Sequence, residues 1–177
     1  MNQLRLLVLK NILLDLKIDR MATTNLSQFG QQDIPSARGL SFGIVVSEWN
    51  PNITNNLFNG TYDTLIECGV NISDIYKYTV PGSFELIFGA KVAAKSHPNA
   101  IICLGSVIQG ETKHFDFICN SVAIGIKDLN IELDIPVIFG VLTDDNMDQA
   151  INRSGGKHGN KGVEAAITAI KMAFLNS

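Results

Sequence analysis

Residues 100–107 read AIICLGSV, and this short run of buried-strand composition decides the class of fold. Three further runs have the same texture: FGIVV at 42–46, IYKYTV at 75–80 and VIFGVL at 137–142. Apolar and β-branched residues dominate each run, as is typical of parallel strands that helices cover on both faces. The sequence therefore predicts four strands of one parallel sheet.

The segments between these runs have the periodicity of helices. Ile53, Leu57 and Leu65 belong to one apolar stripe, and Ile167 and Ile170 belong to another. Spacings of three and four residues place such side chains on one face of a helix. Because strand and helix alternate four times, we expect an α/β fold: a three-layer α/β/α sandwich with a four-stranded parallel sheet and flavodoxin-like architecture.

Several residues mark the expected starts of these helices. Asn50 precedes Pro51, which predicts an N-cap followed by proline at the first helical position. Ser83 follows a Pro-Gly turn, and Thr143 precedes two aspartates whose charge suits a helix N-terminus. Ligands of open α/β sheets bind beyond the carboxyl ends of the strands. The loops that open these helices therefore form the expected site.

The composition excludes some classes of function. Fourteen Lys and Arg against seventeen Asp and Glu give a net charge of −3, whereas proteins that bind nucleic acid usually have a basic surface. Charged residues make up 18% of the chain, below the usual quarter, which suggests surface buried in an oligomer. The three cysteines have no C-x-x-C pairing, which predicts reduced thiols in a cytoplasmic protein. No histidine or cysteine cluster has the spacing of a metal site.

The first 40 residues differ from the remainder. Residues 1–20 are leucine-rich but interrupted by charges, so no apolar run approaches a membrane span of about 20 residues, and we expect no membrane partner. Met21 opens a polar stretch, and we favour it as the start of translation over an amphipathic appendage at 1–20. We expect residues 1–40 to be an extension or arm and residues 41–177 to be the globular domain.

The first two loops combine aromatic and polar side chains. Trp49 is the only tryptophan, and its flat ring can either stack on a heteroaromatic ligand or cover the sheet edge. Asn50 can serve a structural role as the N-cap of the following helix. Glu85 can accept hydrogen bonds from the hydroxyls of a polyol, or serve as an acid in the first turn of a helix.

The third loop runs from Gly105 to His114, and the fourth covers residues 152–162. A histidine near a helix start can move protons near neutral pH, although a lone histidine is more often structural. Backbone amides beside Thr112 can form an anion nest. Arg153 can pair with a phosphate or belong to a solvated linker between helices. Together these loops predict a site for a flat ring and a phosphate.

Five segments together are much more specific than any single loop. In chain order they are FGIVVSEWN, VPGSFELIFGAK, GSVIQGETKHFDFICN, PVIFGVLT and RSGGKHGNKGVEAA. Their order and spacing over residues 40–176 resemble those of the 6,7-dimethyl-8-ribityllumazine synthases. The resemblance implies condensation of 5-amino-6-(D-ribitylamino)uracil with 3,4-dihydroxy-2-butanone 4-phosphate, the penultimate step of riboflavin synthesis. It implies release of phosphate and water and no metal or redox cofactor.

The same resemblance implies a role for each matching residue. His114 would be catalytic, as the proton shuttle. The ribitylaminouracil would contact Trp49, Asn50, Ser83, Phe84, Glu85, Ser106, Val107, Ile108, Phe139 and Lys161. The butanone phosphate would contact Glu111, Thr112 and Arg153. Glu111 is a departure, since smaller residues are also found in the family at its position. Because an acid stands here beside a phosphate site, we expect its backbone N–H to face the phosphate and its carboxylate to turn away.

The resemblance also implies a homo-oligomer with shared active sites. Phe139 and Arg153 would come from a neighbouring subunit, in pentamers that in some members pair into decamers and in others close into 60-subunit shells. RSGGKHGNKG lacks an insertion, which favours the shell, and residues before Phe42 could add an edge strand to a neighbour. Association with riboflavin synthase is a further expectation. A binding module that has lost catalysis and a mainly structural shell protein are the alternatives.

Overall fold

The computed structural model describes residues 34–175. The expected start at Met21 and most of the expected arm lie outside these residues. The elements in chain order are β1 (Phe42–Ser47), α1 (Pro51–Glu67), β2 (Ile75–Val80), α2 (Leu86–Ala93), β3 (Ala100–Ile108), α3 (His114–Glu132), β4 (Val137–Asp144), α4 (Met147–Arg153), β5 (Ser154–Gly156), β6 (Gly159–Asn160) and α5 (Lys161–Leu175), with single 3-10 turns at Ile72–Asp74 and Ala94–Ser96.

The main sheet has four parallel strands in the order β2-β1-β3-β4. The α/β class and the four-stranded parallel sheet are therefore confirmed. This order equals that of the first four strands of a flavodoxin-like sheet, in which the direction of winding reverses between β1 and β3. Such a reversal leaves a crevice at the carboxyl ends of these two strands.

The strands alternate their side chains between two helical layers. Phe42, Ile44 and Val46 of β1 pack with α1 and α5, whereas Val45 packs with α2 and α3. Cys103 of β3 lies in this second layer. Both faces of β1 and β3 are buried, which is why their sequences are apolar nearly throughout.

Helices α1 and α5 cross at very close range. The carbonyl oxygen of Leu57 occupies the space beside Gly162, and any side chain there would collide with it. The hydroxyl of Thr61 donates a buried hydrogen bond of 2.9 Å to the carbonyl oxygen of Gly162. This contact fixes the start of α5, and with it the position of Lys161.

Two of the predicted helix starts are displaced. Helix α2 begins at Leu86, later than the position that Ser83 marks. Helix α4 begins after Asn146, whose side chain accepts a hydrogen bond from the backbone N–H of Gln149, so Thr143 does not start it. Asp144 belongs to the end of β4 instead of a helix N-terminus. The charge pattern misled the prediction because it cannot show where a strand stops.

The segment between α4 and α5 is more ordered than a solvated linker. Its backbone forms a small antiparallel hairpin from β5 and β6. The side chain of Asn160 donates a hydrogen bond of 2.9 Å to the carbonyl oxygen of Asn56 in α1. The prediction of a solvated linker is therefore right about the position of this segment between two helices. It is wrong about the conformation, because the segment forms a hairpin.

Residues just before β1 pack onto the domain. Ala37 is fully buried, and its backbone N–H donates to the carbonyl oxygen of Cys68. Ile34 and Leu40 pack against the same core. None of the helices within residues 34–175 is long and apolar enough to cross a membrane.

All three cysteines are free thiols, as the sequence predicts. Complete burial raises the pKa of the Cys103 thiol to about 12. A thiol reacts as its thiolate, so Cys103 is inert in the folded protein at neutral pH.

Candidate active site

A cavity of about 730 Å³ opens at the carboxyl ends of the first three strands. It lies at the reversal of winding between β1 and β3, where open α/β sheets bind their ligands. The residues that line it are Trp49, Asn50, Pro81, Gly82, Ser83, Phe84, Glu85, Ser106, Val107, Ile108, Gly110, Thr112, His114, Phe115 and Ile118. Three loops that are far apart in sequence therefore meet in one place.

Two solvent-exposed aromatic side chains lie at the mouth of this cavity. The backbone N–H of Trp49 donates to the carbonyl oxygen of Pro81, which continues the β1–β2 pairing past the strand ends. The Trp49 side chain is 68% exposed, and Phe84 in the neighbouring loop is also exposed. A tryptophan that covers a sheet edge would be largely buried. The stacking role therefore fits the geometry of Trp49 better than the covering role.

Asn50 does not cap its helix in the expected way. It stands at the N-cap position of α1, but its backbone is left-handed, with φ of 57°, and its side chain caps no backbone N–H. The Nδ2 atom instead donates a hydrogen bond of 3.1 Å to the carbonyl oxygen of Ser106 at the end of β3. Asn50 thus joins the loop after β1 to the end of β3, where the winding of the sheet reverses. Its left-handed backbone is a strained conformation for a residue other than glycine.

Three buried serine hydroxyls surround the inner end of the site. The Oγ atoms of Ser47, Ser83 and Ser106 have no hydrogen-bond partner among residues 34–175. A Cβ atom at Gly105 would lie 2.7 Å from the Oγ of Ser83 and 3.4 Å from the Oγ of Ser47. A buried polar group without a partner costs about 1–3 kcal/mol. Ser83 and Ser106 belong to the cavity lining, but their Oγ atoms are themselves buried beneath its surface.

The third loop places His114 in the cavity wall, at the first residue of α3. The backbone N–H of His114 lies 3.4 Å from the hydroxyl of Thr112, which accepts its hydrogen bond. Both side chains are exposed and line the cavity. The first turn of α3 also presents unpaired backbone N–H groups, which favour an anion at this end of the helix. An imidazole, a hydroxyl and the start of a helix thus lie side by side in the cavity wall.

The chain is similar to proteins of one known family. Residues 39–177 match the family model described as 6,7-dimethyl-8-ribityllumazine synthase. The chain belongs to this family.

Named relatives of the lumazine synthase family match nearly the whole chain. A 6,7-dimethyl-8-ribityllumazine synthase of Christiangramia forsetii is 60% identical over 159 residues, which cover 88% of this chain and 95% of the relative. One of Flavobacterium johnsoniae is 59% identical over 158 residues, covering 88% and 83% respectively. One of Parabacteroides distasonis is 51% identical over 160 residues, covering 89% of this chain and all of the relative.

Four of the residues that the resemblance to lumazine synthases implies do not line this cavity. Glu111 is exposed in the loop before α3, with its side chain outside the lining. Phe139 is exposed on β4, which is an edge strand. Lys161 begins α5, where its Nζ atom lies 2.6 Å from Oε2 of Glu164. Arg153 ends α4.

Arg153 contacts a buried carboxylate. Its Nε atom lies 3.4 Å from Oδ1 of Asp144, whose side chain is 3% exposed, whereas that of Arg153 is 51% exposed. Burial raises the pKa of the Asp144 carboxyl above its usual value; Arg153 opposes this, and Asp145 adds to it. Sequence reasoning for the lumazine synthase pattern missed Asp144, because it stands where a helix cap was expected.

Sequence reasoning also missed several lining residues. Phe115 and Ile118 follow His114 in the first turns of α3 and form part of the apolar wall. Ile118 stands four residues after His114 and so shares its helix face, a signal that could have found it. No such spacing signal exists for Phe115. Within the described part of the chain, no group of three or more His, Cys, Asp or Glu residues is placed to hold a metal ion.

Proposed function

We propose that this chain condenses 5-amino-6-(D-ribitylamino)uracil with 3,4-dihydroxy-2-butanone 4-phosphate to give 6,7-dimethyl-8-ribityllumazine, phosphate and water. This reaction is the penultimate step of riboflavin biosynthesis. The observation that carries the proposal is the single cavity that gathers an open tryptophan, polar groups and a histidine in a chain of this family. The assignment needs no metal or redox cofactor.

The pyrimidine and its ribityl chain occupy the part of the cavity lined by the first two loops. The ring stacks on Trp49, whose exposed face is available to a flat heterocycle. Ser83 and Phe84 contact the ring and the chain, and Glu85 accepts hydrogen bonds from the ribityl hydroxyls. The exposure of the Glu85 side chain within the lining supports this role.

Residues at the end of β3 form hydrogen bonds with the edge of the uracil ring. Ser106, Val107 and Ile108 lie where the strand leaves its neighbours, so backbone groups become available to a planar ligand. The hydroxyl of Ser106 is buried, so we assign the contact with this edge to backbone groups. Asn50 donates a hydrogen bond to the carbonyl oxygen of Ser106 and so fixes the loop after β1 relative to the end of β3.

The butanone phosphate lies at the start of α3, close to the proton shuttle. Thr112 and the backbone N–H of Glu111 hold the phosphate, and His114 moves the protons. Glu111 itself does not line the cavity, but it stands between the lining residues Gly110 and Thr112, which supports a place for its backbone N–H beside the phosphate. Helix N-termini favour bound anions because their first N–H groups are unpaired.

The chemistry then requires little beyond positioning and proton transfer. The amine of the uracil attacks the ketone to form an imine with loss of water, and phosphate leaves by β-elimination. The resulting enol rearranges, and closure of the second ring releases another water. Holding two substrates together can supply about 7–11 kcal/mol in well-oriented cases, and acid–base catalysis about 10²–10⁴-fold.

A second copy of the chain completes the site. Phe139, Lys161 and Arg153 lie outside the cavity of their own subunit, and we assign Phe139 and Arg153 to the cavity of a neighbour, with Lys161 near the pyrimidine. Exposed apolar residues on α3 support an oligomer: Phe117, Ile124 and Ile131 recur every seven residues. This spacing places them on one face of the helix, and such exposed apolar faces mark interaction sites.

The oligomer is assigned as a pentamer that closes into a 60-subunit shell, with a decamer as the alternative. Light scattering in mild buffer tests this: a mass of only five or ten subunits contradicts the shell. The expected association with riboflavin synthase stays a prediction. A cytoplasmic location is supported by the free thiols.

The domain division is likewise a proposal. We assign residues 1–40 as an extension and residues 41–177 as the catalytic domain, supported by the family match that begins at residue 39. Within that extension, Ile34, Ala37 and Leu40 pack on the catalytic domain, so removal of residues 1–33 tests whether the remainder of the extension is dispensable. Full activity and an unchanged oligomer are expected, because the packed residues Ile34, Ala37 and Leu40 would be retained.

An optical assay of lumazine formation tests the function directly. Purified protein is mixed with both substrates, and the product is followed by its absorbance, with the His114→Ala variant as the matched control. Formation of lumazine by the parent protein well above the variant is expected. Binding of lumazine without turnover would instead indicate a binding module, and assembly without binding or turnover would indicate a structural shell protein.

Mixed oligomers test the sharing of sites. His114→Ala and Arg153→Ala subunits are co-expressed with different tags and purified through both tags. If each site takes these residues from two subunits, about a quarter of the sites in a random mixture contain both native side chains. Activity above that of either variant alone is then expected. Activity equal to the average of the two variants would contradict a shared site.

A further inference from the structure

We propose that Asp144 is a positioning residue: its buried carboxylate holds the Arg153 guanidinium through Nε, which leaves the terminal N–H groups to bind the phosphate of the butanone substrate. This inference rests on the phosphate-binding role of Arg153 proposed above. The two residues end consecutive elements, β4 and α4. Their contact therefore joins the sheet to the helix that carries the arginine.

The Asp144 carboxylate is fixed in place by its strand. Asp144 pairs in register with Ile108 of β3, and its carbonyl oxygen accepts a hydrogen bond of 2.9 Å from the backbone N–H of Gln109. The side chain is almost fully buried, so it has little freedom to move. A rigid acceptor of this kind can orient a long side chain that is otherwise free to adopt many rotamers.

The contact uses one edge of the guanidinium. The closest approach is from Nε of Arg153 to Oδ1 of Asp144, at 3.4 Å. Arginine has five N–H donors in a planar fork, and its terminal pair matches two phosphate oxygens. Since the Arg153 side chain is half exposed, these terminal donors are accessible to an anion from another molecule.

Stability alone does not explain the buried carboxylate. Its Oδ2 atom has no hydrogen-bond partner within residues 34–175, and an unpartnered buried oxygen is unfavourable. Burial raises the pKa of Asp144 despite the nearby arginine. A group held at such a cost beside a substrate-binding arginine is typical of a functional site.

The adjacent residue provides a matched control. Asp145 has the same charge, but it contacts Gln149: its backbone N–H donates to Oε1, and its Oδ2 accepts from Nε2. Asp145→Ala therefore removes a carboxylate from the same turn without touching the Arg153 contact. Asp144→Asn is the conservative variant, since its amide oxygen can still face Nε of Arg153.

The test compares steady-state kinetics of the intact oligomers of these variants. Asp144→Ala is expected to raise the KM of the butanone phosphate about tenfold, with kcat and the KM of the uracil little changed. The inhibition constant of inorganic phosphate should rise in parallel. Asp144→Asn should recover part of the loss, and Asp145→Ala should change neither KM. In an Arg153→Ala background, Asp144→Ala should cause no further rise in the KM of the butanone phosphate.

Each alternative outcome overturns a distinct statement. If Arg153→Ala raises the KM of the butanone phosphate but Asp144→Ala does not, the positioning role fails and the role of Arg153 stands. If Arg153→Ala leaves that KM unchanged, both fail. Equal rises in both KM values, or an added effect in the Arg153→Ala background, would mean that Asp144 acts through general structure. Should Asp144→Ala not fold, Asp144→Asn against Asp145→Asn decides on the same readouts.

Discussion

The cavity residues and the residues at Phe139, Arg153 and Lys161 differ in how the fold places them. The first group comes from three loops at the carboxyl ends of β1, β2 and β3, which a parallel sheet brings to one edge. The second group comes from the edge strand β4 and from the segment around the β5–β6 hairpin. The difference teaches that one subunit gathers the residues of the ring-binding half of the proposed site, whereas the residues of the other half lie apart from that cavity and, in our proposal, reach the cavity of a neighbour on assembly.

His114→Ala tests the preformed half and should have the largest effect. We expect kcat to fall about 10²–10⁴-fold, the usual contribution of a general acid–base group. Turnover should persist because the substrates are still held together. Stopped-flow absorbance with saturating substrates measures this change. Complete loss of turnover with normal substrate affinity would contradict the assigned role.

Arg153→Ala tests the half of the site that we propose to depend on assembly. We expect the KM of the butanone phosphate to rise about 10–100-fold, because a charge-assisted hydrogen bond contributes about 1.5–3 kcal/mol. The KM of the uracil should change much less. Initial rates with each substrate varied in turn separate the two constants. An equal rise in both would show that Arg153 does not act on the phosphate.

Trp49→Ala should have a smaller effect, again in the preformed half. Ring stacking contributes about 0.5–1.5 kcal/mol beyond burial of area, so the KM of the uracil should rise about 2–10-fold. Trp49→Phe, which keeps an aromatic face, should remain close to the parent. Fluorescence quenching of Trp49 by the uracil gives an independent measure. Unchanged binding in Trp49→Ala would exclude stacking.

Asp144→Asn should have the smallest effect, and it concerns stability. Because burial raises the pKa of Asp144 in the folded state, the protein loses stability as pH rises from the usual aspartate pKa through the raised one. Asparagine removes this loss. We expect the melting temperature to rise by about a few degrees at pH 7, with no gain below pH 3.8, the pKa of an unperturbed aspartate. A gain that is independent of pH would contradict burial of the charge.

The four strands of the main sheet were predictable to within two residues, and the cavity loops followed from them, whereas the β5–β6 hairpin was not predicted. Residues 100–107 are apolar because both faces of β3 are covered, and this constraint is visible in the sequence itself. Asn50 shows the opposite case. Its N-cap position was predictable from Pro51, but its left-handed backbone and its bond to Ser106 depend on a strand that lies 56 residues away in the sequence.

The sequence by itself therefore determined the α/β class, the parallel sheet and the family, because burial periodicity and motif spacing are local properties of the chain. Only the tertiary structure decided which of these motifs share a cavity. It brought His114 to Trp49 and Ser83 but left Phe139 and Arg153 elsewhere on the same subunit. It also paired Arg153 with Asp144, since a contact across the end of a strand depends on where that strand stops.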